Sequence, residues 1–124
     1  ANLWWDEASP MVDLAKELLY EYRPVQAEEI IYAGSGYLAG YHGVYALFEI
    51  LRKAIEEVGA ENLDGEAFCN AATEFSTTGP MWEGYPEWSF GQTNRYFVGH
   101  VLMYQWSAEV GDLIRVSEWL PLVK

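Results

Sequence analysis

Ser35, His42, Cys69 and His100 are the candidates in this sequence for nucleophilic attack or proton transfer. Ser35 stands between Gly34 and Gly36. A nucleophile elbow instead needs glycines two residues to either side, where this chain has Ala33 and Tyr37. A lone histidine among apolar neighbours is more often a packing residue than a base, and His42 and His100 are each of that kind. No His-x-x-x-His or Cys-x-x-Cys occurs, so no metal site is expected. The carboxylate pairs Asp6-Glu7, Glu28-Glu29 and Glu56-Glu57 are adjacent in sequence. Adjacent residues on a helix do not face one another, so these read as solvated faces rather than acid/base partners. No catalytic residue is assigned, and the chain is not expected to be an enzyme.

Gly34-Ser35-Gly36-Tyr37-Leu38-Ala39-Gly40 is the one motif with a chemical reading. Glycines at the start of a helix let a backbone approach a phosphate at the helix N-terminus. This makes a nucleotide-dependent oxidoreductase fragment the alternative reading. That fold also requires a parallel strand after the helix, ending in an acid for the ribose. Here Gly59 leads to Glu61-Asn62-Leu63-Asp64 and another helix, so the glycines are better explained by a tightly packed helix start. No cofactor is assigned.

The elements that would position these residues follow from periodicity. Ser9-Pro10 reads as a cap followed by proline at the first helical position. Met11, Leu14, Ala15, Leu18, Leu19 and Tyr22 then recur at three- and four-residue spacing until Arg23-Pro24 stops the helix, which spans 10–23. Glu29 to Ala33 is a short apolar run, either a strand or an extended lead-in. A long helix follows over 36–58, with Gly59 as its C-terminal cap. Its apolar stripe includes Tyr37, Tyr41, Val44, Leu47, Phe48, Leu51 and Ile55, broad enough to imply burial on more than one side near its start. Asp64 caps a third helix over 64–75. Strands are expected at about 88–90, 100–106 and 113–117, with a turn at 91–94 and a loose hairpin turn over 108–112 containing Gly111. Three helices followed by a small, largely antiparallel set of strands make an α+β order, read as a single segment over 1–124.

Composition narrows the partners. With 19 acidic and 7 basic residues the formal charge is −12, so nucleic acid and anionic membrane surfaces are disfavoured. Hydrophobic residues make up 51% of the chain and aromatic ones 16%, enough for a core and for the walls of a ligand cleft. The single Cys69 rules out an internal disulfide and leaves the redox compartment open. No segment has the length of a membrane span or the pattern of an export signal. The start Ala-Asn-Leu-Trp-Trp suits a processed protein or an excerpt from a longer one.

Three stretches, in order, resemble the C-terminal portion of the type I periplasmic solute-binding family, which includes the leucine/isoleucine/valine-binding proteins. The first is Trp4-Trp5-Asp6-Glu7-Ala8-Ser9-Pro10 with its helix ending Tyr22-Arg23-Pro24. The second runs from Gly36-Tyr37-Leu38-Ala39-Gly40-Tyr41 through Ala46 to Ala54, then Leu63-Asp64-Gly65-Glu66-Ala67-Phe68. The third is Phe90-Gly91-Gln92-Thr93-Asn94-Arg95 with Val101-Leu102-Met103-Tyr104-Gln105-Trp106. The resemblance implies part of a two-lobed α/β fold, the solute-capturing component of an ABC importer. Such a protein is periplasmic or extracellular, with or without a membrane anchor in its full-length form. Its implied partners are a small molecule, such as a branched-chain amino acid or related carboxylate, and a membrane permease.

Relatives of the family also serve as ligand-sensing regulators, a further alternative. The N-terminal strands and head-group ligands of the family have no counterpart here, so homo-oligomerisation of the fragment is expected. By position in the family, Tyr37 and Tyr41 are the ligand-binding candidates, with Trp5 as a third. Packing of both tyrosines against a neighbouring sheet is the competing reading.

Overall fold

Proline punctuation and apolar spacing set the first helix, α1, which runs Pro10–Tyr22 in the computed structural model, whose description covers residues 3–91 and 98–122. Ser9 occupies the cap position in extended conformation, but its hydroxyl does not cap. It donates instead to the Glu83 carbonyl at 3.1 Å, tying the helix start to a distant loop. Met11, Val12, Ala15 and Leu19 are buried, which is the face that the spacing marks out.

The apolar run at 29–33 is not a strand. Ala27–Tyr32 forms a short helix, α2, entered by a turn in which the Gln26 N–H donates to the Arg23 carbonyl at 3.0 Å. Ala27 is buried, and Ile30 and Ile31 pack against the same core, a spacing of three and four that only a helix can satisfy on one face. Glu28 and Glu29 in its first turn suit the positive end of the helix dipole.

Helix α3 spans Gly36–Val58, and Gly59 follows it at the C-cap. Leu38, His42, Ala46, Ile50 and Ala54 form its buried line at four-residue spacing. Small Ala46 and Ala54 let helix α4, Gly65–Glu74, approach closely through Ala71. Asp64 caps α4 by accepting the Ala67 N–H at 2.8 Å. Burial of α3 on more than one side does not occur: Val44, Leu47 and Phe48 are 49%, 51% and 63% exposed. Nothing among the described residues covers that face, so the breadth of the stripe reflects surface rather than core.

The strands are shorter than their periodicity suggests. The segment at 88–90 contributes only a single bridge, Ser76 to Ser89. The segment at 100–106 divides into β1, His100–Val101, and β2, Tyr104–Ser107. Strand β2 pairs antiparallel with β3, Asp112–Arg115, through a turn containing Gly111. Strand β1 pairs antiparallel with β4, Leu120–Pro121. The division falls at Met103, whose N–H is taken by the Ser117 hydroxyl at 2.9 Å instead of by a strand carbonyl. Short 3-10 turns at Ala60–Asn62 and Pro80–Trp82 complete the described elements. Of the turn expected at 91–94, all but Gly91 lies outside the described residues. The fold is α+β, with helices first and two small antiparallel ribbons after.

Two core clusters share α1. One gathers Leu3, Trp5, Val12, Ala15, Leu19, Ala27 and Leu38 beside α2. The other joins α3 and α4 through Ile50, Ala54, Ala71, Phe75 and Trp82. Fully burying a side chain such as Leu19 or Ile50 contributes about 1.5–3 kcal/mol, which anchors the helices that carry the loops described next.

Candidate functional site

A cleft of about 580 Å³ opens where three segments meet: the N-terminal loop, the end of α2 and the β2–β3 hairpin. Its volume is in the range of small-molecule sites. Trp4 and Trp5 form its inner wall, Tyr32 and Trp106 its outer flanks, and Glu28 and Asp112 supply carboxylates.

Each inner indole is held by a bond far from it in sequence. The Trp5 Nε1–H donates to the Gly34 carbonyl at 2.9 Å, and the Trp5 ring stacks on Tyr37 with centroids 6.1 Å apart. Gly34 has a φ of 117°, a conformation that a side chain would strain, so the glycine turn aims this carbonyl at the indole. The Trp4 Nε1–H donates to Asp112 Oδ1 at 3.0 Å. Below it, the Tyr104 hydroxyl accepts the Trp4 backbone N–H at 3.1 Å and donates to Glu7 at 2.9 Å. Arg115 closes this network with a 3.4 Å contact to the other Glu7 oxygen. Burial, followed by the bond to the Glu7 carboxylate, pushes the Tyr104 phenol well above its ordinary range. It stays protonated and keeps donating.

A second aromatic constellation is filled rather than open. The His42 ring is 5% exposed and lies 4.7 Å from Tyr85, 5.0 Å from Trp82 and 5.3 Å from Trp88 between centroids. Its Nε2 is buried with no hydrogen-bond partner among the described residues. Burial lowers its pKa from 6.5 to about 4, so the ring is neutral at physiological pH. Tyr85 is pushed up to about 12, again chiefly by burial. The Trp88 Nε1–H donates to His100 Nδ1 at 3.2 Å, and the Trp82 Nε1–H donates to Glu49 at 2.8 Å. His42 thus belongs to aromatic packing, and His100 serves as acceptor for the Trp88 indole. Cys69 is exposed on α4. Among the described residues no group of three or more His, Cys, Asp or Glu could hold a metal ion, and no helix is long and apolar enough to cross a membrane.

The three residues singled out in the sequence are placed differently. Trp5 lines the cleft. Tyr37 stands behind it as a stacking partner, half-buried. Tyr41 packs between the two core clusters, and burial raises its pKa. Trp4, Glu28, Trp106 and Asp112 went unrecognised as cleft residues. Trp106 had a usable clue: it is a large aromatic next to a hairpin turn, where a strand side chain has no obvious core to enter.

The glycine turn at 34–36 follows helix α2 and not a strand. The strand–turn–helix frame of a dinucleotide site is therefore missing at that motif, which removes the geometric basis of the nucleotide-binding alternative. No family model matches the chain, and no curated protein or solved structure matches it.

Proposed function

We propose that this chain is part of an extracytoplasmic solute-binding protein that captures a small molecule for a membrane permease of an ABC importer. The cleft walled by Trp4 and Trp5 carries this reading. It has a small molecule's volume, rigidly bonded aromatic walls and a few polar groups, the usual composition of a recognition site. The ordered resemblance of the three sequence stretches to type I solute-binding proteins supports it from a separate direction. In such a protein the present segments form one wall, and a second lobe closes over the ligand. Binding energy then stabilises the closed state that the permease recognises, and no covalent step is needed.

The ligand proposed is a branched-chain amino acid or a related small molecule. Its apolar side chain suits the half-exposed edge beside Ile31 and Leu113. Titration of the protein with leucine, isoleucine and valine, followed by tryptophan emission, tests the reading. Saturable binding is expected, and the absence of saturation with every amino acid refutes it. Tyr37→Ala should weaken binding about tenfold through loss of support for Trp5, with a melting-temperature drop of only a few degrees. An unchanged affinity would assign Tyr37 to packing.

A further inference from the structure

We infer that the cleft walled by Trp4, Trp5 and Trp106 takes the cationic end of its ligand, an ammonium group, and not a carboxylate. This deepens the solute-binding reading and rests on it.

The inference comes from an inventory of donors and acceptors. The indole N–H groups of Trp4 and Trp5 are committed to Asp112 and Gly34, so these two rings present carbon and π surface to a ligand. The backbone N–H groups of Ala33, Gly34, Gly111 and Leu113 are also engaged, by Glu29, Ile31 and Ser107 carbonyls and by the Asp112 carboxylate. An anion entering here therefore meets few free donors, and among the described residues no Lys or Arg lines the cleft. Acceptors are in better supply. Among the described residues Glu28 accepts a neutral phenol, from Tyr20 at 2.6 Å, and Asp112 accepts neutral N–H groups. Neither carboxylate forms an ion pair among the described residues. Two carboxylates beside three indoles attract a cation both by Coulomb interaction and through the negative faces of the rings. The formal charge of −12 adds a field of the same sign across the molecule. An amino acid would then enter with its ammonium toward this wall, leaving its carboxylate for groups elsewhere.

Three probes with one carbon skeleton separate the possibilities: leucinamide, isocaproamide, which lacks the ammonium, and isocaproate, which is an anion. They are titrated at about pH 6, below the ordinary α-amino range, while the indole N–H resonances of Trp4 and Trp106 are followed by NMR. Leucinamide is expected to bind about fivefold or more tighter than isocaproamide, with isocaproate weakest, and added salt should narrow the gap. In the double variant Glu28→Gln and Asp112→Asn the preference should fall to about parity, since both amides still accept the Tyr20 and Trp4 hydrogen bonds but carry no charge. If that variant does not fold, Glu28→Gln alone should reduce the preference by about half its logarithm, Glu28 being exposed on α2. Equal or tighter binding of isocaproamide or isocaproate overturns the inference, as does a preference that survives removal of both charges. Those results leave solute binding intact. Failure of all three probes to shift either indole overturns both.

Discussion

His42 makes the stability of this fold depend on pH, by an amount that can be worked out. Its imidazole is enclosed by Trp82, Tyr85 and Trp88, and burial lowers its pKa from 6.5 to about 4. The folded state is thus a weaker base than the unfolded chain. Stability is fully present above the unfolded value of 6.5 and falls as the pH drops toward about 4, because the unfolded state takes up a proton that the folded state refuses. Linkage between those two values gives a loss of about 2 kcal/mol by about pH 5 and about 3 kcal/mol near pH 4. A domain stable by only about 5–15 kcal/mol feels this strongly.

The perturbation that isolates the effect is His42→Phe. Phenylalanine keeps an aromatic ring among the three neighbours and removes the orphaned Nε2, whose burial costs about 1–3 kcal/mol. At neutral pH the variant should be as stable as the parent or more so. Urea unfolding followed by tryptophan fluorescence, run from about pH 7 down to pH 4.5, gives both curves. All other groups are common to both proteins, so their contributions cancel in the difference. The gap between variant and parent should widen by about 2 kcal/mol between pH 7 and pH 5. Parallel curves over that range would refute the assignment of the shift to burial of this ring.

Two other expectations concern the cleft and the helix face. Tyr104→Phe removes the hydroxyl that joins Trp4 to Glu7, and should cost about 1–2 kcal/mol while raising hydrogen exchange at the Trp4 amide. Unaltered exchange would show that the Tyr104 hydroxyl does not hold the loop, leaving that role to the Asp112 and Gly34 bonds. The exposed Val44, Leu47 and Phe48 make self-association through α3 the expected behaviour of the isolated chain. Sedimentation should show a concentration-dependent mass that Leu47→Glu with Phe48→Glu abolishes, and a monomer at all concentrations would contradict it.

Local chemistry made three helices legible. Pro24 ends α1, Gly59 ends α3 and Asp64 starts α4, each acting within a few residues of itself. The same reasoning failed at 29–33 because so short an apolar run is ambiguous between helix and strand. There the decision came from Ala27, Ile30 and Ile31 meeting one core. It failed again at 100–106, where β propensity is continuous but the partner strand changes at Met103. For Tyr41, an aromatic at the start of a long helix looks the same in sequence whether it faces a ligand or fills the gap between two cores.

The sequence by itself determined the helical frame, the acidic surface and the supply of aromatic side chains, since these depend on composition and on neighbours three or four residues apart. Only the tertiary structure decided which aromatics became core and which became cleft. Trp4 and Trp5 are adjacent, yet one bonds a residue 108 positions away and the other a residue 29 positions away. Contacts of that span are closed by the packing of α1, α2 and the hairpin together, so no local window of sequence contains them.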